Sequence, residues 1–438
     1  MNIRIASFVL AAGLAIAGCS GAHSVAPTPG SRGVQPHVIQ NGKQPINWTQ
    51  FTDPLSGYGT SYTAVAGPDK NMYFGNGQGG LLQVQMTGKM KLIPVQYTCN
   101  GTSTCTFYTG YGSTVGKDKN LYFGGTNFDY NSSKYVVGVV KTTGAITVHD
   151  IPSGDYVSNA GLTLGPDGNV WFIEQGHIGK ITTAGNVSEV AYPSGTTNNS
   201  YGNITTGPDG NLWFTEYNTN IVGNINPTTK AITEYNLGSQ GLGCNPSSII
   251  TGGDGNLYFV CSGQYIGQIT TAGVAKVWYD AFNISYLPQA LQNGPDGSIW
   301  FANGYSDYIT EFNPSTISFT IYVPPSYAGG TVFQLVLGPD KNFWVQESDA
   351  KTDVFIPNPL TVSPSSVNFT GTGQTQNLTV TENGTAAWTA KSTSPGVCSV
   401  AQGNKANVFV ATSVGAGTTK ITIADAIGNS YVVSCKVQ

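Results

Sequence analysis

The stretch Gly207-Pro208-Asp209-Gly210-Asn211-Leu212-Trp213-Phe214-Thr215-Glu216 decides the fold, because it is one of seven copies. Its Pro-Asp-Gly-Asn run suits a tight turn with a residue at positive φ, and the apolar and aromatic run that follows suits a buried strand. Variants begin at Gly67 (GPDKNMYF), Gly116 (GKDKNLYF), Gly165 (GPDGNVWF), Gly252 (GGDGNLYF), Gly294 (GPDGSIWF) and Gly338 (GPDKNFWV). Successive copies lie 49, 49, 42, 45, 42 and 44 residues apart. That period is the length of one four-stranded propeller blade rather than of a helical solenoid repeat. In the fourth unit, residues 203–206, 212–216, 221–225 and 231–237 read as its four strands. The large aromatics Trp171, Trp213, Trp300, Trp344, Tyr73, Tyr122 and Tyr258 are expected to fill the wedges between blades.

The seventh unit supplies only three strands, at 333–338, 342–347 and 352–356, before Pro357-Asn358-Pro359. The run Ile46-Asn47-Trp48-Thr49-Gln50-Phe51 is similar to the outer strand at 232–237, so residues 46–53 are expected to complete the last blade and cover its open edge. Residues 46–357 then make a seven-bladed β-propeller. Residues 358–438 lack the repeat, and runs at 376–381, 406–412, 418–424 and 431–437 alternate like half-buried strands. With some seven short strands and Trp388, this part resembles a small bacterial Ig-like β-sandwich. The predicted fold class is all-β.

Of 438 residues, only 10% are charged and 57 are Gly, so helices are expected to be scarce. A net charge of −4 with 19 Lys plus Arg leaves no basic stripe, which excludes nucleic acid as the expected partner. At the N-terminus, Arg4 and the apolar run 5–17 read as an export signal, too short for a permanent membrane helix. Its end, Ile16-Ala17-Gly18-Cys19, resembles the lipobox of bacterial lipoproteins, in which the Cys thiol is acylated. Ser20 after it fits the pattern for export to the outer membrane, so residues 1–19 are expected to be a lipoprotein signal and 20–45 a flexible tether. The expected location is the bacterial cell envelope, with the membrane touched only through the lipid on Cys19. Six further cysteines in an exported chain point to disulfides, with proximity favouring Cys99 with Cys105, Cys244 with Cys261 and Cys398 with Cys435 among fifteen possible connectivities.

The blade text 207–216 followed by Ile-x-Gly-x-Ile-like spacing at 221–225, and Trp171-Phe172-Ile173-Glu174 followed by His177-Ile178-Gly179-Lys180-Ile181, closely resemble the virginiamycin B lyase family over residues 46–356. The resemblance implies a seven-bladed propeller that linearises streptogramin B antibiotics by Mg²⁺-assisted elimination at the ester bond, with a His as general base. In that family the essential His residues follow a Pro and stand five residues before the blade's Gly. The matching positions here are Tyr62, Tyr111, Ala160, Gly202, Ser247, Gln289 and Phe333. Only Pro246 and Pro288 keep the preceding Pro, which puts Ser247 and Gln289 where the resemblance places the base and its partner. Neither accepts a proton near neutral pH unaided. The family's metal-side Glu positions fall at Leu287 and near Asn303 and Gly304.

Function is therefore expected to be non-catalytic binding of a small molecule, a glycan or an envelope protein, with no cofactor, on a rim of Tyr62, Tyr111, Tyr201, Ser247, Gln289 and Phe333. One alternative is a divergent lyase that retains Mg²⁺ and uses a relocated base, for which His177 with Glu174 is the candidate pair among only four His, at 23, 37, 149 and 177. The ordinary reading of that pair is a solvated loop contact. Glu174, Glu216 and Glu347 recur at one point of their blades, which reads as a repeat-level structural role. A second alternative is an adhesive scaffold contacting partners through the blade-2 insertion 127–134 and the 99–105 loop. The turn aspartates lack calcium-loop spacing, and no G-x-S-x-G, H-E-x-x-H or C-x-x-C occurs.

Overall fold

Six of the seven repeats are organised by the carboxylate of the turn, the sixth repeat's Asp296 lying outside the described residues. Asp209 Oδ1 accepts the amide N–H of Asn211 (3.2 Å) and the indole N–H of Trp213 (3.0 Å), while Oδ2 accepts the Asn211 side-chain amide (3.0 Å). Trp171 and Trp344 donate to Asp167 (3.0 Å) and Asp340 (3.2 Å) in the same way. Where the aromatic is Tyr, its hydroxyl makes the bond instead: Tyr73 to Asp69 at 2.8 Å, Tyr122 to Asp118 at 3.0 Å and Tyr258 to Asp254 at 2.8 Å. The first Gly is obligatory, because a Cβ on Gly207 would come within 2.3 Å of the Trp213 ring. The fourth position is left-handed, held by Gly168, Gly210, Gly255 and Gly297 at φ 77–83° and by Lys70, Lys119 and Lys341 at φ 63–64°.

The computed structural model describes residues 38–40, 48–52, 63–76, 80–99, 103–129, 132–199, 201–261, 265–279, 291–294, 297–302, 309–322, 332–347, 351–355, 361–381, 388–425 and 430–438. Among these, seven antiparallel sheets follow the seven repeats. Their innermost strands are Ala64–Ala66, Ser103–Val115, Val157–Leu164, Ile204–Thr206, Pro246–Thr251, Leu291–Asn293 and Val332–Leu337. Each packs beside its neighbours in cyclic order, the last against the first, and all seven line an axial cavity of about 180 Å³. A polar belt links them near the repeat Gly. Thr206 Oγ1 donates to the carbonyl of Leu164 (2.8 Å), Thr251 Oγ1 to that of Thr206 (2.6 Å) and Asn293 Nδ2 to that of Thr251 (2.8 Å).

The predicted wedge aromatics are all buried, and the apolar cores lie between successive blades rather than within them. Trp344 and Val336 of blade 7 pack with Met72, Phe74, Leu82 and Val84 of blade 1, which closes the ring. Trp48–Thr52 pairs antiparallel with Lys351–Phe355 as the fourth strand of blade 7.

Two expectations change. The tether assigned to 20–45 contains a strand: Val38–Gln40 pairs in parallel with residues 318–320 on the outer edge of blade 6. That edge offers unpaired backbone groups, and two β-branched residues arriving beside it are enough to use them. The blade-2 segment 127–134, read as a loop insertion, instead continues the strands Leu121–Asp129 and Ser132–Val140, which pair out to Asp129 and Ser132. Blade 2 gains a fifth strand, Gln96–Cys99, paired with residues 103–106 at the start of Ser103–Val115.

Residues 361–438 form two four-stranded sheets, eight strands where the sequence suggested some seven, around a core that includes Phe369, Leu378, Phe409, Ile421 and Val433. Cys398 and Cys435, on strands of different sheets, are disulfide-bonded, as are Cys244 and Cys261. Cys105 is also disulfide-bonded; the Cys99 side chain lies outside the described residues, as do Cys19 and the whole of 1–37. Among the described residues no helix is long and apolar enough to cross a membrane.

Asp209→Ala leaves the indole N–H of buried Trp213 without its acceptor and frees the turn. It is expected to cost about 1–3 kcal/mol in denaturant unfolding, whereas the same change at an exposed position outside the turns is expected to be nearly neutral. Removing residues 20–53 strips both N-terminal strands and is expected to lower the melting temperature by on the order of 10 °C, and removing 20–41 by only a few degrees.

Candidate functional site

The end of the propeller opposite the repeat turns carries the connections into each blade, and there the innermost strands are irregular. Register shifts fall between Val157 and Leu162, between Pro246 and Ile249, between Val332 and Gln334, and on both sides of Tyr111. These bulges coincide with the positions aligned above with the lyase histidines, namely Ala160, Ser247, Phe333 and Tyr111. A bulge interrupts the strand's alternation, so these positions do not follow the in-and-out pattern of the residues beside them.

Ser247 is 5% exposed, and its carbonyl accepts the Thr215 hydroxyl at 2.7 Å. Tyr201 is 37% exposed and meets Tyr217 edge to face, with ring centroids 5.1 Å apart. Tyr217, which the sequence reading missed, is placed by Asn199: the buried amide accepts the Tyr217 backbone N–H (3.0 Å) and donates to the Tyr192 hydroxyl (3.1 Å) and the Thr215 carbonyl (2.9 Å). The bulge places Tyr111 and Phe333 on blades 2 and 7, but their side chains lie outside the described residues, as do Tyr62 and Gln289 altogether.

The Glu174–His177 pair differs from the solvated loop contact expected. Glu174 is fully buried, and His177 bonds not to it but to Asp155, with Nδ1 3.0 Å from Oδ2. Ser153, on the connection from blade 2, donates its hydroxyl to Glu174 Oε2 (3.0 Å) and its amide to Glu189 Oε1 (2.9 Å). Glu174 Oε1 has no hydrogen-bond partner among the described residues. Burial, with Glu189 and Asp155 nearby, pushes the Glu174 carboxyl up to about 9. Blade 4 repeats the plan: Ser194 donates to Glu216 Oε2 (2.8 Å) and, through its amide, to Glu234 Oε1 (3.1 Å). Thr196 (2.5 Å) and Thr219 (3.1 Å) also donate to Glu216 Oε2, while Oε1 has no partner among the described residues, as at Glu174; burial raises this carboxyl too. The sequence did carry the signal for Asp155. Pro152-Ser153-Gly154-Asp155 and Pro193-Ser194-Gly195-Thr196 are the same connection with its last residue changed.

The model of the virginiamycin B lyase family matches residues 197–352. Virginiamycin B lyase from Staphylococcus aureus superposes with a TM-score of 0.58 at 22% identity, covering 70% of this chain and 98% of its own; one such structure is a catalytically inactive histidine-to-alanine variant with quinupristin. A streptogramin B lyase gives 0.58 at 23% identity over 72% and 99%. The extracellular domain of a hybrid two-component system from B. thetaiotaomicron gives 0.55 at 12%, over 91% of this chain and 58% of that one. No curated protein sequence matches. The chain has the β-propeller fold of virginiamycin B lyase.

Because the Glu216 carboxyl titrates above its ordinary value in the folded state, the folded protein holds that proton more tightly than the unfolded chain. Its stabilising contribution is complete below about pH 4.5 and is lost as pH rises through the elevated pKa, at up to about 1.4 kcal/mol per pH unit for one proton. Thermal unfolding of Glu216→Gln across pH 5 to 9 is expected to show a shallower decline than the wild type.

Proposed function

We propose that this chain is an envelope-exposed binding module that uses a virginiamycin B lyase-like propeller without the lyase's acid–base groups. The observation that carries this reading is Ser247, the residue aligned with a lyase histidine, buried at 5% exposure with its backbone tied to Thr215. Among the described residues a serine hydroxyl there has no neighbouring imidazole to make it a base, since His149 and His177 lie on blades 2 and 3. Mg²⁺ requires oxygen ligands, usually including carboxylates, and the positions aligned with the metal side carry Leu287 and, nearby, Asn303 and Gly304. That donor set does not fit the ion, and no step is derived through it.

The ligand end is the channel mouth. Exposed Tyr201, braced by Tyr217, presents an aromatic edge and face suited to a sugar ring or a flat small molecule, and the sequence assigns Tyr62, Tyr111, Gln289 and Phe333 to the same rim. Disulfides at Cys244–Cys261 and Cys398–Cys435 fit an oxidising compartment, and the lipobox Cys19 supports a lipid anchor at the outer membrane. The extracellular-domain neighbour supports exposure outside the cytoplasm. The C-terminal sandwich, read as Ig-like, acts as a separate module of the same envelope protein.

A second reading rests on the Asp155–His177 contact, which has the geometry of a base held by its orienting carboxylate. Incubation with a streptogramin B and Mg²⁺, followed by mass spectrometry, is expected to return the cyclic compound unchanged. Linear product that disappears in His177→Ala establishes the relocated base, and product that survives that change overturns both assignments. In glycan-array and titration measurements, Tyr201→Ala is expected to weaken any captured sugar several-fold, the loss of about 1 kcal/mol of stacking.

A further inference from the structure

Blades 3 and 4 build the same junction from different chemistry. In both, a Ser from the incoming connection ties down the buried Glu that ends the second strand and the half-buried Glu on the fourth. In both, the residue two after that Ser sends its own amide to the Ser hydroxyl, Asp155 at 3.0 Å and Thr196 at 3.4 Å, so the two occupy equivalent places. There the likeness ends. Thr196 gives its hydroxyl to Glu216, whereas Asp155 has nothing to donate and adds a second acid. Oε1 is buried without a hydrogen-bond partner among the described residues in both carboxyls, so the difference lies at Oε2, where Glu174 keeps one hydroxyl donor and Glu216 has three. An ion pair between Asp155 and His177 explains two of these side chains but not the third. A buried carboxyl group without compensating partners is costly.

We propose that Asp155, Glu174 and His177 form a binding site for one zinc-class divalent cation at the end of blade 3. Their potential ligand atoms all lie within 4.8 Å of one another, and His177 Nδ1 and Asp155 Oδ2 are already 3.0 Å apart. Zinc bonds of about 2.0–2.2 Å place neighbouring donors roughly 3.4 Å apart, so small side-chain rotations close the set. The cation takes the place of the proton between Nδ1 and Oδ2 and of the proton carried by the Glu174 carboxyl, and both leave to solvent. One nitrogen and two carboxylate oxygens make a three-ligand zinc set with room for water in the fourth position, and the imidazole selects against Mg²⁺. Ser153 orients Glu174 from behind, as an outer hydrogen-bond donor does in metal sites, and Glu189, held by the same Ser, adds negative charge. Gly176 leaves the approach open, since a Cβ there would stand 3.0 Å from Asp155 Oδ2. The site uses none of the rim residues and is independent of what the channel mouth binds.

The test is calorimetric titration of the full chain, treated with a chelator and carrying Cys19→Ser so that no free thiol competes, with Zn²⁺ and separately with Mg²⁺. One equivalent of Zn²⁺ is expected to bind with proton release and to raise the melting temperature, and Mg²⁺ at the same concentration to do neither. His177→Ala is expected to weaken Zn²⁺ binding at least tenfold. Asp155→Thr rebuilds the blade-4 junction, so it is expected to melt no lower than the metal-free wild type while losing the metal, which separates loss of a ligand from loss of the fold. Absence of a one-equivalent Zn²⁺ site in the wild type, or binding that persists unchanged in both variants, overturns the assignment.

Discussion

The structure depends on one carboxylate arrangement that recurs in six of the seven repeats among the described residues. An aspartate two residues after a Gly can cap its own turn and still reach an aromatic four residues on, because turn and strand are consecutive. The bond converts a large ring, otherwise free to choose its rotamer, into a fixed wedge with its polar atom satisfied. The carboxylate is indifferent to the ring's chemistry. It takes an indole N–H at Asp167, Asp209 and Asp340 and a phenol at Asp69, Asp118 and Asp254. Once the wedge is fixed, the space between blades is set, and a ring of seven closes when Trp344 finds Met72, Phe74 and their neighbours.

This locality explains why the fold was legible in the chain and where legibility ended. Turn, aromatic and strand lie within ten residues, so the repeat writes itself into the sequence; the outer-strand pattern of Trp48–Thr52 was recognisable because it copies strands such as Ile232–Asn236. Val38–Gln40 has no such template. It is three residues long and pairs in parallel with a strand some 280 positions away, and no local pattern encodes that partner. The Asp155–His177 contact was hidden for a related reason. His177 and Glu174 are neighbours in sequence, but the residue that bonds His177 arrives on the connection from the preceding blade, 22 positions earlier. The rim positions could be located by counting back from the repeat Gly, yet only the bulges show that they break the alternation of the strand.

One position shows how a repeat can be kept while its chemistry changes. The last residue of the second strand is Glu174 in blade 3, Glu216 in blade 4 and Cys261 in blade 5. In each blade it fastens the incoming connection, through a Ser hydroxyl in the first two and through the disulfide to Cys244 in the third. The mechanical task is constant: the connection has no ladder of its own, and pinning it to the end of a buried strand fixes where the innermost strand begins. Carboxyl, hydroxyl network and disulfide are interchangeable for that task. They are not interchangeable chemically, because a buried carboxyl with too few donors attracts protons or cations whereas a disulfide does neither.

The two ends of the propeller are therefore under different constraints. At the turn end the Gly, the Asp, the left-handed fourth residue and the aromatic are all occupied by folding, and a substitution there moves a wedge. At the opposite end the blade needs only a fastened connection, and several solutions supply one. Sequence is free to vary there without reopening the ring, and that is where the bulges, the exposed Tyr201 and the Asp155–Glu174–His177 cluster are found. A chain that shares the lyase fold at 22–23% identity can thus vary its side chains at that end and remain a closed propeller, because the apolar contact that closes the ring between blades 7 and 1 is made by Trp344, Val336, Met72, Phe74, Leu82 and Val84.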